Sequence, residues 1–233
     1  DGFSKRHPRD QDGTLIHLPF ISDQLLVVLS PLGIELPPAG KGRFCLELSE
    51  IDKKFAFDWY RNNDIDPTRT GIVAVGAWSN MASKRWPIDR YKQILRRLVR
   101  EYKIFPIFFG GTEEVNELTI LREDVGCGIV TAGVFNIRES AAVMARASFY
   151  LGNDTGTMHL AVAVGLKCVA LFSGRESPGR WYPYGEGHYV LQHRVDCEGC
   201  MLSDCRLEQM KCLRGIETPQ VLSAARELLS RVL

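Results

Sequence analysis

Ten consecutive residues, Gly152-Asn153-Asp154-Thr155-Gly156-Thr157-Met158-His159-Leu160-Ala161, bring a carboxylate, hydroxyls, a glycine and an imidazole together. Residues 147–151 just upstream read as a short buried strand, and the small apolar residues 160–164 downstream read as a helix ending at Gly165. The corner therefore opens a helix. The first N–H groups of a helix lack internal partners and lie at the positive end of its dipole, so an anion placed there gains hydrogen bonds and field together. Two uses compete for such a corner. One is a plain N-cap at Asp154 or Thr155. The other is a phosphate site, with Gly156 allowing close approach to the backbone and His159 projecting from the first turn.

The surrounding elements decide what else reaches this corner. Residues 1–20 are loop-like, and 22–32 read as a short helix closed by Gly33, with Pro37-Pro38 forbidding its continuation. A second helix spans 49–62, opened by Ser49 with Asp52 as an approximate capping box and carrying Ile51, Phe55 and Trp59 at helical spacing. Residues 62–67 read as a connector. From residue 71 strands (71–77, 104–109, 128–131, 147–151, 167–172) alternate with helices (88–102, 113–122, 138–147, 160–164), and a last helix covers 219–233. This rhythm predicts an α/β fold, a Rossmann-like parallel sheet with helices on both faces. Ligands of such sheets sit beyond the carboxyl ends of the strands. The loops at that edge carry Ser79, Asn80 and Lys84, then Gly110-Gly111-Thr112-Glu113, then Phe135, then Asp154-Thr155-Gly156. An ammonium and a helix N-terminus suit a pyrophosphate, a carboxylate suits two vicinal ribose hydroxyls, and an aromatic face suits a base. Taken singly, Lys84 and Glu113 read as surface charges and Phe135 as core; their convergence carries the nucleotide reading.

Composition narrows the class. The 233 residues are 45% hydrophobic and 24% charged, as in a folded globular protein. Lys plus Arg (29) nearly cancel Asp plus Glu (28), which predicts no nucleic-acid partner. Lys92, Arg96, Arg97 and Arg100 line the outer face of the 88–102 helix and read as a solvated face. The sequence has no apolar run of bilayer length and no signal-peptide pattern, so the expected location is cytoplasmic. The polar, basic opening without an initiator methionine predicts a fragment of a longer protein.

Lys84-Arg85-Trp86-Pro87, Phe109-Gly110-Gly111-Thr112-Glu113 and the Gly152–Ala161 run, in this order and spacing, resemble glycosyltransferase family 9, the heptosyltransferases. The resemblance covers roughly Leu15 to the C-terminus and is strongest from residue 71. It implies a GT-B architecture of two Rossmann-like domains. Residues 67–233 would be the C-terminal nucleotide-sugar-binding domain, and 1–66 a remnant of a largely missing N-terminal domain with the connector. It further implies inverting, metal-independent transfer of heptose from ADP-L-glycero-D-manno-heptose to the lipopolysaccharide inner core, peripherally at the cytoplasmic face of the inner membrane. By the same resemblance Lys84 contacts donor phosphate, Glu113 the ribose, Phe135 the base, Thr155 and Gly156 the pyrophosphate, and Asp154 and His159 the sugar or its phosphate. Ser79 and Asn80 stand where relatives often carry threonine or serine, with hydrogen bonding to the donor expected. The family's proposed base is an aspartate of the N-terminal domain, so no catalytic base is assigned here. Two alternatives stay open: a module that binds a nucleotide sugar without transfer, and a GT-B-like nucleotide-sugar epimerase.

Seven cysteines remain. Cys45, Cys127 and Cys168 lie in apolar surroundings and read as buried free thiols. Cys197, Cys200, Cys205 and Cys212 form a cluster whose second half departs from the usual zinc spacing. Both free cysteines and a structural zinc site are compatible with it. No cofactor is expected for catalysis.

Overall fold

The computed structural model describes residues 8–205 and 209–231. Six parallel strands, β1 (Ile72–Gly76), β2 (Phe105–Phe108), β3 (Ile129–Val130), β4 (Phe149–Asn153), β5 (Cys168–Phe172) and β6 (Tyr189–Gln192), form one sheet in the order β3-β2-β1-β4-β5-β6. The order reverses between β1 and β4, which makes their carboxyl ends the switch point where ligands of such sheets bind.

Strand composition explains the layers. Each residue of β1, β4 and β5 is buried, the signature of strands covered on both faces. Val73, Val75, Leu151, Val169 and Leu171 point to one face, where α3 (Ile88–Tyr102), α4 (Val115–Val125) and α8 (Thr218–Leu229) pack. Ile72, Ala74, Tyr150, Cys168 and Ala170 point to the other, covered by α2 (Glu50–Asn62), α5 (Ile137–Met144) and α6 (Gly156–Ala163). The Rossmann-like α/β sheet is therefore as expected.

Several local expectations change. The 22–32 helix is a short α1 (Ile21–Leu26) continued by a 3₁₀ segment at Val27–Leu32, which contains Pro31 and ends on left-handed Gly33. Ser49 and Asp52 do form a capping box, but Ile51 is 82% exposed; α2 buries Asp52, Ala56 and Tyr60, with Phe55 and Trp59 partly buried against the same core. Through Ala56 and Tyr60, α2 joins the same core as α5 and α6. Edge strand β6 and the four-residue α7 (Lys211–Arg214) escape the periodicity because both are too short to show one. The basic face of α3 is neutralised by neighbours: Lys92 pairs with Asp124 at 2.9 Å and Arg97 with Glu101 at 2.8 Å. No helix among the described residues is long and apolar enough to cross a membrane.

At the switch point Gly76 lies opposite Gly152 in register. A Cβ on Gly152 would stand 2.4 Å from the Tyr150 hydroxyl and 2.6 Å from the Gly76 carbonyl oxygen. These glycines leave room for that hydroxyl to bond Thr157 Oγ1 at 2.8 Å, in the first turn of α6. Gly152→Ala should thus destabilise the fold by about 1–3 kcal/mol through overpacking, seen as a fall of several degrees in melting temperature; an unchanged melt would contradict the close packing. A second prediction concerns pH. Burial, with Lys167 nearby, lowers the His188 pKa from 6.5 to about 4, and its Nδ1 accepts the Cys168 amide at 3.1 Å. Below pH 6.5 the unfolded chain takes up a proton that folded His188 refuses, so stability falls as pH drops from 6.5 towards 4. Melts across that window should show a shallower slope for His188→Gln, and an equal slope would contradict a neutral His188.

Candidate nucleotide-sugar site

The site is built on β4 and the start of α6. Asn153, the last residue of β4, is fully buried, and its Oδ1 accepts the Trp86 backbone amide at 3.2 Å and the Tyr91 hydroxyl at 2.9 Å. Trp86 is itself buried and donates its indole N–H to the Ile216 carbonyl at 3.0 Å. The loop after β1 is thereby pinned against the end of β4. Lys84, two residues before Trp86, meets Asp154, the residue after Asn153, with Nζ 2.5 Å from Oδ2. A second carboxylate, Glu176, stands 3.9 Å from the same ammonium and is ion-paired to buried Arg175.

The electrostatics are those of a site kept from water. Burial raises the Asp154 carboxyl above its ordinary value, against the pull of Lys84 and His159. Burial lowers the His159 pKa against the opposing pull of Asp154, favouring neutral imidazole, and the ring lies 6.3 Å from Trp181. A carboxylate held against its desolvation is a mark of functional positions. Beside this cluster, Thr155 is the N-cap of α6 yet makes no side-chain cap bond; its hydroxyl pairs with Thr157 Oγ1 at 2.8 Å. The helix terminus thus keeps its capacity for an anion. A Cβ placed on Gly156 would meet no atom within 4 Å, so the approach to this terminus is open.

From the start of α6 a cavity of about 580 Å³ runs past His159 to Phe135. Its volume lies in the range of small-ligand sites. Phe135 is held by edge contacts to Phe55 at 5.4 Å and Trp59 at 5.6 Å. Gly110 and Gly111 form part of the same wall. Glu113 is exposed at this edge, where Asn80 Nδ2 donates to its Oε1 at 2.8 Å; a bond from its own backbone and, after it, the one from Asn80 lower its pKa. Ser79 is buried, its hydroxyl accepts the Met81 amide at 3.2 Å, and its carbonyl accepts Arg85 Nε at 2.6 Å, so it shapes the lysine loop.

The structure brings Lys84, Asp154, Thr155, Gly156 and His159 together, and joins Asn80 to Glu113. Sequence reasoning missed Asn153, Glu176 and Arg175. For Asn153 the signal was its place between a buried strand and the helix cap, where a polar side chain must find buried partners.

All seven cysteines are free. Contrary to expectation Cys45 is exposed and Cys127 only partly buried, because Cys45 lies on a surface segment; Cys168 is buried as expected. Cys197, Cys200, Cys205 and Cys212 line one cavity of about 20 Å³. Among the described residues no group of three or more His, Cys, Asp or Glu is arranged to hold a metal ion. Backbone bonds hold this loop: Gly199 N–H donates to Gly174 O at 2.7 Å, Met201 N–H to Arg175 O at 3.0 Å, and Ser83 N–H to Ser203 O at 3.0 Å.

Comparison with known proteins agrees with this geometry. Residues 38–211 match the family described as glycosyltransferase family 9 (heptosyltransferase). Lipooligosaccharide heptosyltransferase 2 of Campylobacter jejuni is 26% identical over 157 residues, covering 64% of this chain and 47% of that protein. A glycosyl transferase of family 9 from Veillonella parvula superposes with a TM-score of 0.79 at 25% identity, covering 97% of this chain and 62% of that one. The ADP-heptose LPS heptosyltransferase II of E. coli shares the fold, with a TM-score of 0.64 at 21% identity over 80% of this chain and 54% of that one. The chain spans about half the length of the curated relatives it matches. With the family matched over most of its length and the lysine, the carboxylate and the helix terminus gathered at the sheet's switch point, the chain belongs to glycosyltransferase family 9, the heptosyltransferases.

Proposed function

We propose that this chain is the donor-binding half of an inverting heptosyltransferase that takes heptose from ADP-heptose and delivers it to the lipopolysaccharide inner core at the cytoplasmic face of the inner membrane. The observation that carries this reading is the Lys84–Asp154 pair at 2.5 Å beside the N-terminus of α6, whose Gly156 lines a cavity together with Phe44, Phe109 and Phe135. The diphosphate lies across Lys84 and the amides at Thr155 and Gly156. Glu113, steadied by Asn80, accepts the ribose hydroxyls, and the base lies against Phe135. As the diphosphate displaces Asp154 from Lys84, the freed carboxylate faces the sugar, with His159 beside it.

Charge grows on the departing diphosphate in the transition state, and preorganised donors aimed at that charge lower the barrier. Lys84 and the terminus of α6 supply here what a divalent ion supplies in other transferases. The base that deprotonates the acceptor hydroxyl comes from elsewhere in the whole protein.

Calorimetry with ADP should give saturable binding that Lys84→Ala weakens about 10- to 150-fold, the loss of a hydrogen bond to a charged group; unchanged affinity would remove Lys84 from the phosphate site. In the full-length protein, Asp154→Ala should lower heptose transfer far more than ADP affinity, and equal losses would reduce Asp154 to a structural role. Transfer by that protein should persist in excess EDTA. Binding without any transfer would favour the module reading.

A further inference from the structure

Residues 42–47, upstream of the sheet, form a strap across the cavity. Three hydrogen bonds fasten it: the Gly42 amide donates to the Tyr184 hydroxyl at 3.0 Å, the Leu46 amide to the Ala163 carbonyl at 2.7 Å, and Arg138 Nη2 to the Glu47 carbonyl at 2.8 Å. Each anchor is itself held. The Tyr184 hydroxyl donates to Asp23 at 2.6 Å, Ala163 is the last residue of α6, and Arg138 is ion-paired to Asp52 of α2 at 2.6 Å. The strap is thus tied to α6 on one side and to α2 and α5 on the other.

Between these ties the strap turns two apolar side chains, Phe44 and Leu46, to the same cavity that Phe135, Gly156 and His159 line. Phe44 touches one aromatic neighbour, Tyr184, at 5.8 Å between ring centroids, and stays 38% exposed. An exposed phenylalanine at the rim of an apolar cavity, on a segment fastened at three points, is placed to cover a flat ligand group rather than to fill core. Phe135 is already committed to Phe55 and Trp59 and forms another wall. The polar contributions of Gly156, Thr157 and His159 lie in the first turn of α6, whereas Leu46 of the strap bonds Ala163 at its last, so the phosphates belong at the N-terminal end of α6 and the base towards the strap.

We infer that Phe44 is a base-contacting residue of the donor site and that the strap carrying it helps to set affinity for the nucleobase. This rests on the reading of the cavity as a nucleotide-sugar site. Every base has a π-face, and removal of an aromatic side chain that covers one weakens binding by roughly fivefold or more.

The test is calorimetry on this chain with two probes, ADP and inorganic pyrophosphate, comparing wild type, Phe44→Ala, Phe44→Leu and Phe44→Tyr, with a thermal melt of each. The expected result is a loss of at least about fivefold in ADP affinity for Phe44→Ala, a smaller loss for Phe44→Leu, near-wild-type affinity for Phe44→Tyr, and unchanged pyrophosphate binding. Undiminished ADP binding by Phe44→Ala would overturn the inference, as would equal losses for ADP and pyrophosphate. Should Phe44→Ala melt early, the Leu and Tyr variants decide by the same criterion. Absence of ADP binding by the wild-type chain would instead overturn the donor-site reading, so the two failures are distinguishable.

Discussion

One buried amide oxygen sets the geometry on which the site depends. Asn153 Oδ1 receives both the Trp86 amide and the Tyr91 hydroxyl at the end of β4, where Asn153 has no exposed surface. Buried polar groups are costly without partners, so these bonds leave the loop after β1 little freedom to shift. Because Lys84 lies two residues before Trp86 and Asp154 directly follows Asn153, the same anchor brings an ammonium and a carboxylate to 2.5 Å. The glycine pair at 76 and 152 has a complementary role, since it makes room for the Tyr150 hydroxyl to hold the first turn of α6.

The charges gathered there are poised rather than saturated. Lys84 faces two carboxylates, and Arg175 shares one of them, so the cluster is balanced before any anion arrives. Burial works against Asp154 as an anion. Pairs of this kind are weak contributors to stability, because desolvation offsets most of their attraction. They hold donors and acceptors in fixed positions, and fixed dipoles need no reorganisation.

Two peripheral segments support this centre from opposite sides. The cysteine-bearing loop is latched to Ser83 and Arg175, the immediate chain neighbours of Lys84 and Glu176: the Ser83 hydroxyl and Arg175 Nε both donate to the Leu202 carbonyl, at 2.6 and 3.1 Å. It therefore backs the Lys84–Asp154 pair through hydrogen bonds. The strap at 42–47 closes the apolar end, fastened to α6 and to the α2–α5 pair. The charged cluster and the apolar cavity are thus braced by parts of the chain that contribute no strand to the sheet.

The sequence by itself determined the alternation of strands and helices, the corner at Asp154–Gly156, and the loops that carry Lys84, Glu113 and Phe135. Those features are local: a buried parallel strand is apolar throughout, a helix repeats every 3.6 residues, and both signals lie within a short window. Only the tertiary structure decided which of these residues touch. Lys84 and Asp154 are 70 positions apart, Trp86 and Asn153 are 67, and Arg138 and Asp52 are 86. Those contacts follow from β1 and β4 being neighbours at the switch point and from α2 packing on α5. Periodicity encodes neither relation. Ser79 illustrates the difference, since its type suited a ligand while only the fold shows its hydroxyl accepting the Met81 amide in the turn that shapes the lysine loop. Glu176, Arg175 and the strap were hidden for the same reason: their roles arise from what the fold places beside them, which no short stretch of chain contains.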